Sequence, residues 1–248
     1  MSLSQYCRLL AAFCRREWMV RYGRSLVGLM FLMANPLLMV GMKWVTHSAG
    51  TELRAYHFFF FGLIWWLFLS SLITNASAIV SSHSDLVRKN NFPRSILVVL
   101  PLCLAVIDWT LGTLFFVVFD LIFFPNFLSQ LIYLLPLFLI LVPFALGISA
   151  LLVSVLFCYT KLRYAIPFLL IAVFVSCQFF QDGRVSEVYL LLNPVSGFMI
   201  YEAHYLNFHL DLHCIYPSFP FFSLVVGMVY MVAGLLLFRI VSPRFADF

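Results

Sequence analysis

Apolar residues run along this chain in long unbroken blocks separated by short polar stretches. A helix that crosses the hydrocarbon core of a bilayer needs about 20 such residues. Six blocks qualify, approximately Leu26–Val45, Tyr56–Val80, Val98–Phe124, Leu131–Phe157, Tyr164–Phe180 and Phe219–Ile240, the fifth being the shortest. Only helices and closed barrels satisfy every backbone group in lipid, and these blocks lack the polar–apolar alternation of a barrel strand. The pattern predicts an all-α polytopic membrane protein, with six transmembrane helices in a single transmembrane domain over residues 1–248.

Two stretches follow a different pattern. Before the first block, Leu3, Tyr6, Leu10 and Phe13 recur at steps of three and four, with Arg8 and Arg15 on the other side. This predicts an amphipathic helix within residues 1–24, lying in the cytoplasmic interface, with a periodicity that fades after Glu17. Residues 181–217 form a long connector that still holds apolar runs such as VYLLLNPVSGFMI. Connectors of that length are mostly functional or structured, so one or two short helices dipping back toward the membrane are expected. They should break at Asn193-Pro194, because the residue before a proline avoids the helical region.

Composition fixes the class. Hydrophobic residues make up 64% and charged residues 10%, at a mean hydropathy of +1.03. Soluble domains have about 45–50% and about 25%. Charge placement sets orientation. Twelve of the 15 Lys and Arg fall on one side: the N-terminal segment, the basic island SSHSDLVRKNNFPRSIL at 81–97, the loop at 157–165 and the C-terminus. Lys43, Arg54 and Arg184 fall on the other. The positive-inside rule then puts both termini, and the 81–97 island, in the cytoplasm. The net charge of +5 is spread between apolar runs and does not suggest nucleic acid. Six cysteines form no CxxC pair, so a disulfide framework is not expected, and no cleavable signal peptide is visible.

Candidate chemistry is sparse. No glycine is followed directly by lysine, so a phosphate-binding loop is absent, and no HExxH, GxSxG or paired-carboxylate motif occurs. Any energy must come from an ion gradient or a partner subunit. Asp108 and Asp120 are the acidic residues within the spans, both in the third, and lie about 120° apart around a helix. Asp120 is expected near the external end; Asp108 is deeper and suited to bonding a neighbouring helix. His204, His209, His213 and Cys214 match no standard zinc spacing. Aromatic side chains could stack on sugar rings, which makes Trp65, Trp66, Phe179 and Phe180 candidates for a substrate pathway, although aromatic belts and packing account for such residues too.

Three landmarks together resemble the membrane subunit of type-2 ABC exporters, especially the polysaccharide branch of Wzm-like O-antigen, teichoic acid and capsule exporters. REWMVRYGRSLVGLMFLMANPLLMV (Arg16 to Val40) is similar to that family's interface helix and first span, with Arg21-Tyr22, Val27-Gly28 and Asn35-Pro36. SDLVRKNNFPRSILVV is similar to its loop after span two, where basic residues precede Phe92-Pro93-Arg94. LLNPVSGFMI is similar to its NP segment before the last span. The chain departs from the family in FCYTKLRYAIP, which has Lys161 and Arg163 but no acidic residue, and in QFFQD at the end of span five, which has no proline.

The resemblance implies a homodimer around a central pathway, docked on two copies of an ATP-binding cassette ATPase that carries the ATP and Mg. This chain would bind no cofactor and would not be an enzyme. Asp85, Arg88, Lys89, Phe92, Pro93 and Arg94 would form the coupling loop, with Lys161 and Arg163 in a second contact. Arg15, Arg16, Arg21 and Tyr22 would belong to the interface helix, and 181–217 with Asn193 and Pro194 to a gate. The substrate would be an undecaprenyl-linked glycan moved from cytoplasm to periplasm across the bacterial inner membrane. The rivals are an exporter of the same fold acting on a drug, lipid or small molecule, an ion-coupled carrier or channel, and a membrane enzyme on lipid-linked sugars. Against the carrier stand the lack of an inverted repeat and of paired intramembrane charges.

Overall fold

The structure is a computed structural model that describes residues 2–23, 30, 37–39, 41, 53–82, 92–123, 134–175 and 219–243. The described residues are all-helical. The elements are α1 (Leu3–Tyr22), α2 (Leu53–Ser82), α3 (Ile96–Phe123), α4 (Leu134–Cys158), a 3-10 helix (Thr160–Ala165), α5 (Ile166–Val175) and α6 (Phe219–Val241). Four of them contain stretches long and apolar enough to cross a membrane: Gly62–Val80, Ile96–Phe119, Leu141–Cys158 and Leu224–Val241. These match four of the six expected blocks. Most of the expected first span, the last five residues of the fifth, and 181–217 with Asn193 and Pro194 lie outside the described residues.

α1 starts with a reciprocal cap. The Gln5 amide donates to the Ser2 hydroxyl at 3.4 Å, while the Gln5 side-chain carbonyl accepts from the Ser2 amide at 3.0 Å. The Ser2 amide, which the first turn leaves unpaired, is thereby satisfied, and the Gln5 amide, which also donates to the Ser2 carbonyl at 3.1 Å, gains a second acceptor. Tyr6, Leu9, Leu10, Phe13, Cys14 and Trp18 pack against the core of the bundle, and Arg8, Arg15 and Arg16 are exposed. The stripe expected from the sequence is real but runs longer: it keeps its phase past Glu17 to Trp18 and Arg21. Leu3, counted on that stripe, is exposed.

The core lies between α2, α3 and α4 and is largely aromatic. Trp109 stacks on Phe138 at 4.4 Å and meets Trp65 at 5.6 Å, Phe68 meets Phe138 edge-on at 5.5 Å, and Phe60 meets Phe116 edge-on at 5.4 Å. Offset and edge-to-face pairs of this kind add to simple burial because the ring quadrupoles align favourably. Pro101 inside α3 cannot donate to the carbonyl one turn back, and its ring disturbs that turn. Ser149 of α4 donates to the nearby Val98 carbonyl at 2.7 Å. A hydroxyl on a neighbouring helix thus supplies a donor where lipid offers none.

α4 and α6 meet backbone to backbone. A Cβ placed on Gly147 would collide with the main chain of Tyr230 and Met231, and one on Gly234 would collide with the Gly147 carbonyl. Small residues allow such approach, and close van der Waals packing is what holds helices together in lipid. The fifth block begins later than expected: Tyr164 lies in the 3-10 helix, and α5 starts at Ile166. Pro167 explains the shift, because its missing N–H is harmless only in a helix's first turn.

Candidate functional site

Asp108 is the polar centre of the described bundle. It lies about 18 Å along α3 from Ile96, well inside the apolar stretch, and is 3% exposed. A carboxylate at such depth is costly unless partnered. Partners arrive from two helices. Ser71 of α2 donates its hydroxyl to Asp108, and Asn75, one turn further along α2, donates to the Ser71 hydroxyl at 3.0 Å. From the end of α1, the Arg21 charge and the Tyr22 hydroxyl both act on the same carboxylate. Burial, and next the Asp108 charge, push the Tyr22 phenol up to about 12.

The cluster borders an open cavity of about 400 Å³. Arg21, Tyr22, Ser70, Ser71, Thr74 and Asp108 give it a polar wall, and Trp66, Leu67, Leu170 and Ile171 an apolar one. Thr74 satisfies itself by donating to the Ser70 carbonyl at 2.5 Å, which leaves the hydroxyl oxygen as an acceptor at the rim. Asn75 is fully buried, and its Oδ1 has no hydrogen-bond donor among the described residues. Nearer the start of α1, the Cys14 thiol hydrogen-bonds the Cys103 thiol of α3, and that bond together with burial pushes the Cys14 thiol up.

A second junction lies at the end of the bundle where α3 begins. Phe92 packs edge-on against Phe13 of α1 at 6.0 Å. Arg94 donates to the main-chain carbonyl of Ser242, just past the end of α6. These contacts gather the N-terminal helix, the turn at 92–95 and the end of the last span at one end of the molecule. The charge count leads one to expect the same three segments on one side of the membrane.

The residues singled out in the sequence divide by where the structure places them. Arg21 and Tyr22 join Asp108, while Phe92 and Arg94 join α1 and α6; Pro93 starts the turn into α3, the Ile96 amide donating to its carbonyl at 3.0 Å. Lys161 and Arg163 are exposed on the 3-10 helix, where Arg163 lies over the Tyr164 ring at 4.9 Å and donates to its hydroxyl at 2.9 Å. Trp65 is enclosed in the aromatic core at 1% exposure, and Trp66 borders the cavity. Asp85, Arg88, Lys89, Phe179, Phe180 and the His204, His209, His213 and Cys214 cluster lie outside the described residues. Ser71 and Asn75 were missed. Their signal was a run of small polar residues, SSLITNAS, inside an apolar block.

Together these features define a multi-pass helical membrane protein with a buried carboxylate tied to its N-terminal helix. No family model matches the chain. The chain is 31% identical over 98 residues to the O-antigen export system permease protein RfbA of Myxococcus xanthus. That match covers 38% of this chain and 38% of the relative, so the chain spans well under half the length of the curated relative it matches. The relative is a permease of the kind that the three landmarks resemble.

Proposed function

We propose that this chain is the membrane subunit of an ATP-driven type-2 ABC exporter that moves a lipid-linked polysaccharide outward across the bacterial inner membrane. The observation that carries this reading is the similarity to an O-antigen export permease in a chain with the family's three landmarks in order. The absence of a phosphate-binding loop from the sequence agrees with it, since the nucleotide chemistry would belong to a partner. The working unit is two copies of this chain on two ATPase subunits, with both termini cytoplasmic. Asp85, Arg88 and Lys89 belong to the loop that couples to the ATPase, and Lys161 and Arg163 to a second contact with it. Closure of the ATPases on ATP moves that loop and α1, and the 181–217 segment gates the external side.

The test is co-purification and transport. The chain should co-purify with an ATP-binding cassette ATPase, and inverted vesicles should take up lipid-linked glycan only when ATP is supplied. Exchanging Arg88 and Lys89 for Glu should release the ATPase while leaving the chain in the membrane. Glycan movement without ATP, or a chain that never associates with an ATPase, would overturn the reading.

A further inference from the structure

Arg94 sits in the coupling loop, yet its guanidinium is turned inward. It is half-buried and donates to the Ser242 carbonyl, 148 positions away in the sequence. Ser242 and Pro243 form the 3-10 turn that ends α6. The last carbonyls of any helix lack donors of their own, and a following proline supplies none. A cation at that end is also favoured by the helix dipole. Two residues earlier, the Phe92 ring is held edge-on by Phe13 of α1. One short turn, 92–95, therefore grips two elements that are remote from it in sequence. Arg94 has no such role if it merely presents charge to another subunit, because a guanidinium committed to an internal carbonyl has fewer donors left for a surface.

We propose that Arg94 is a positioning residue that fastens the coupling loop to the cytoplasmic end of the last span, so that displacement of the loop is delivered to that span. Phe92 provides the matching attachment to the N-terminal helix. The delivery step rests on the permease reading above; the attachment itself does not. In the sequence, Arg94 counts as one more docking charge beside Arg88 and Lys89. Here it has a different duty from both.

The experiment uses the full chain with its co-purifying ATPase in lipid nanodiscs and compares wild type with R94A, R94Q and R94K. Hydrogen exchange at residues 239–242, ATPase retention and ATP-dependent glycan movement are read on each. R94A should exchange roughly ten-fold faster in that last turn, as loss of a charged hydrogen bond at a helix end implies. It should keep the ATPase and its hydrolysis but lose glycan movement, and R94K should recover part of both protection and movement. Unchanged exchange in R94A, or loss of the ATPase with exchange unchanged, would overturn the proposal. If R94A fails to insert, R94Q against R94K decides by the same criteria. If wild type retains no ATPase and moves no glycan, the permease reading has failed, and the exchange data alone decide whether Arg94 holds the last span.

Discussion

α2 and α6 are both membrane-crossing helices, yet they are built on opposite principles. The spanning stretch of α2, Gly62–Val80, is 67% buried by the protein and has a mean hydropathy of 1.7. That of α6, Leu224–Val241, is 11% buried and has a mean hydropathy of 2.4. The more enclosed helix is the less apolar one. In water the relation runs the other way, because burial is what removes apolar surface from solvent. In a bilayer the apolar surface is already satisfied by lipid, so protein-facing helices are free to carry Ser70, Ser71, Thr74 and Asn75. α6 needs only a greasy surface and the glycine pair, its own Gly234 and Gly147 of α4, where the two backbones meet.

The comparison breaks first at those glycines. Gly147→Val should force α4 and α6 apart, because the added side chain meets main chain that cannot yield. A loss of about 3 kcal/mol or more is expected for overpacking against backbone. A detergent melting curve and protease access to the end of α6 would show it. An unchanged melting point would mean that α6 is not held there.

At the polar centre, Asp108→Leu should cost about 1–3 kcal/mol, since it strands the Arg21 charge and the Ser71 hydroxyl together. Ser71→Ala should cost less, about 0.6 kcal/mol and no more than about 1.7, the average and the maximum for hydrogen bonds between membrane helices. The two losses should not add, because both variants remove the same contact. Additive losses in a double-mutant cycle would dissolve the cluster. Tyr22 gives a pH signature. Its phenol ionises near 12 in the folded state against an ordinary value of 10.0. Between those values the unfolded chain has released a proton that the folded chain keeps, so stability falls as pH rises through that window and is unaffected below it. Tyr22→Phe should flatten that slope in a denaturation series. The smallest effect is expected on the other helix: Val229→Leu or Val232→Leu, both exposed on α6, should shift stability by no more than about 0.5 kcal/mol.

Reading the sequence recovered most of what lipid dictates and little of what neighbouring helices dictate. The apolar blocks located α2, α3, α4 and α6 to within three residues at each end, because a helix must stay apolar across the hydrocarbon core. α2 runs from Leu53 rather than Tyr56, since a helix can persist past the lipid boundary through residues such as Arg54. Asp108 stood out in the sequence as a charge in the wrong solvent. Its partners did not, since Arg21 and Ser71 are brought to it only by the packing of three helices. Arg21 nonetheless kept the phase of the α1 stripe, one heptad beyond Cys14, and an arginine at an inward position is a readable sign of a buried acid. Arg94 was legible as a charge and as the end of the Phe92-Pro93-Arg94 landmark, but not as a tie to the last span. Its acceptor is a main-chain carbonyl, and every residue has one, so no side-chain pattern could announce it.

The glycine contact and the arginine tie act on the same helix, eight residues apart. Gly234 rests on the Gly147 carbonyl, and Ser242 is fastened to Arg94. Eight helical residues measure about 12 Å, and the 15 from Gly234 back to Phe219 measure about 22 Å. On the proposed attachment, α6 pivoting at Gly234 would be a lever of the first class. A 1 Å pull at Ser242 swings it by about 5° and carries its far end roughly 2 Å, on these helix dimensions. The direction reverses on the way, so an inward tug at one membrane face becomes an outward tilt at the other.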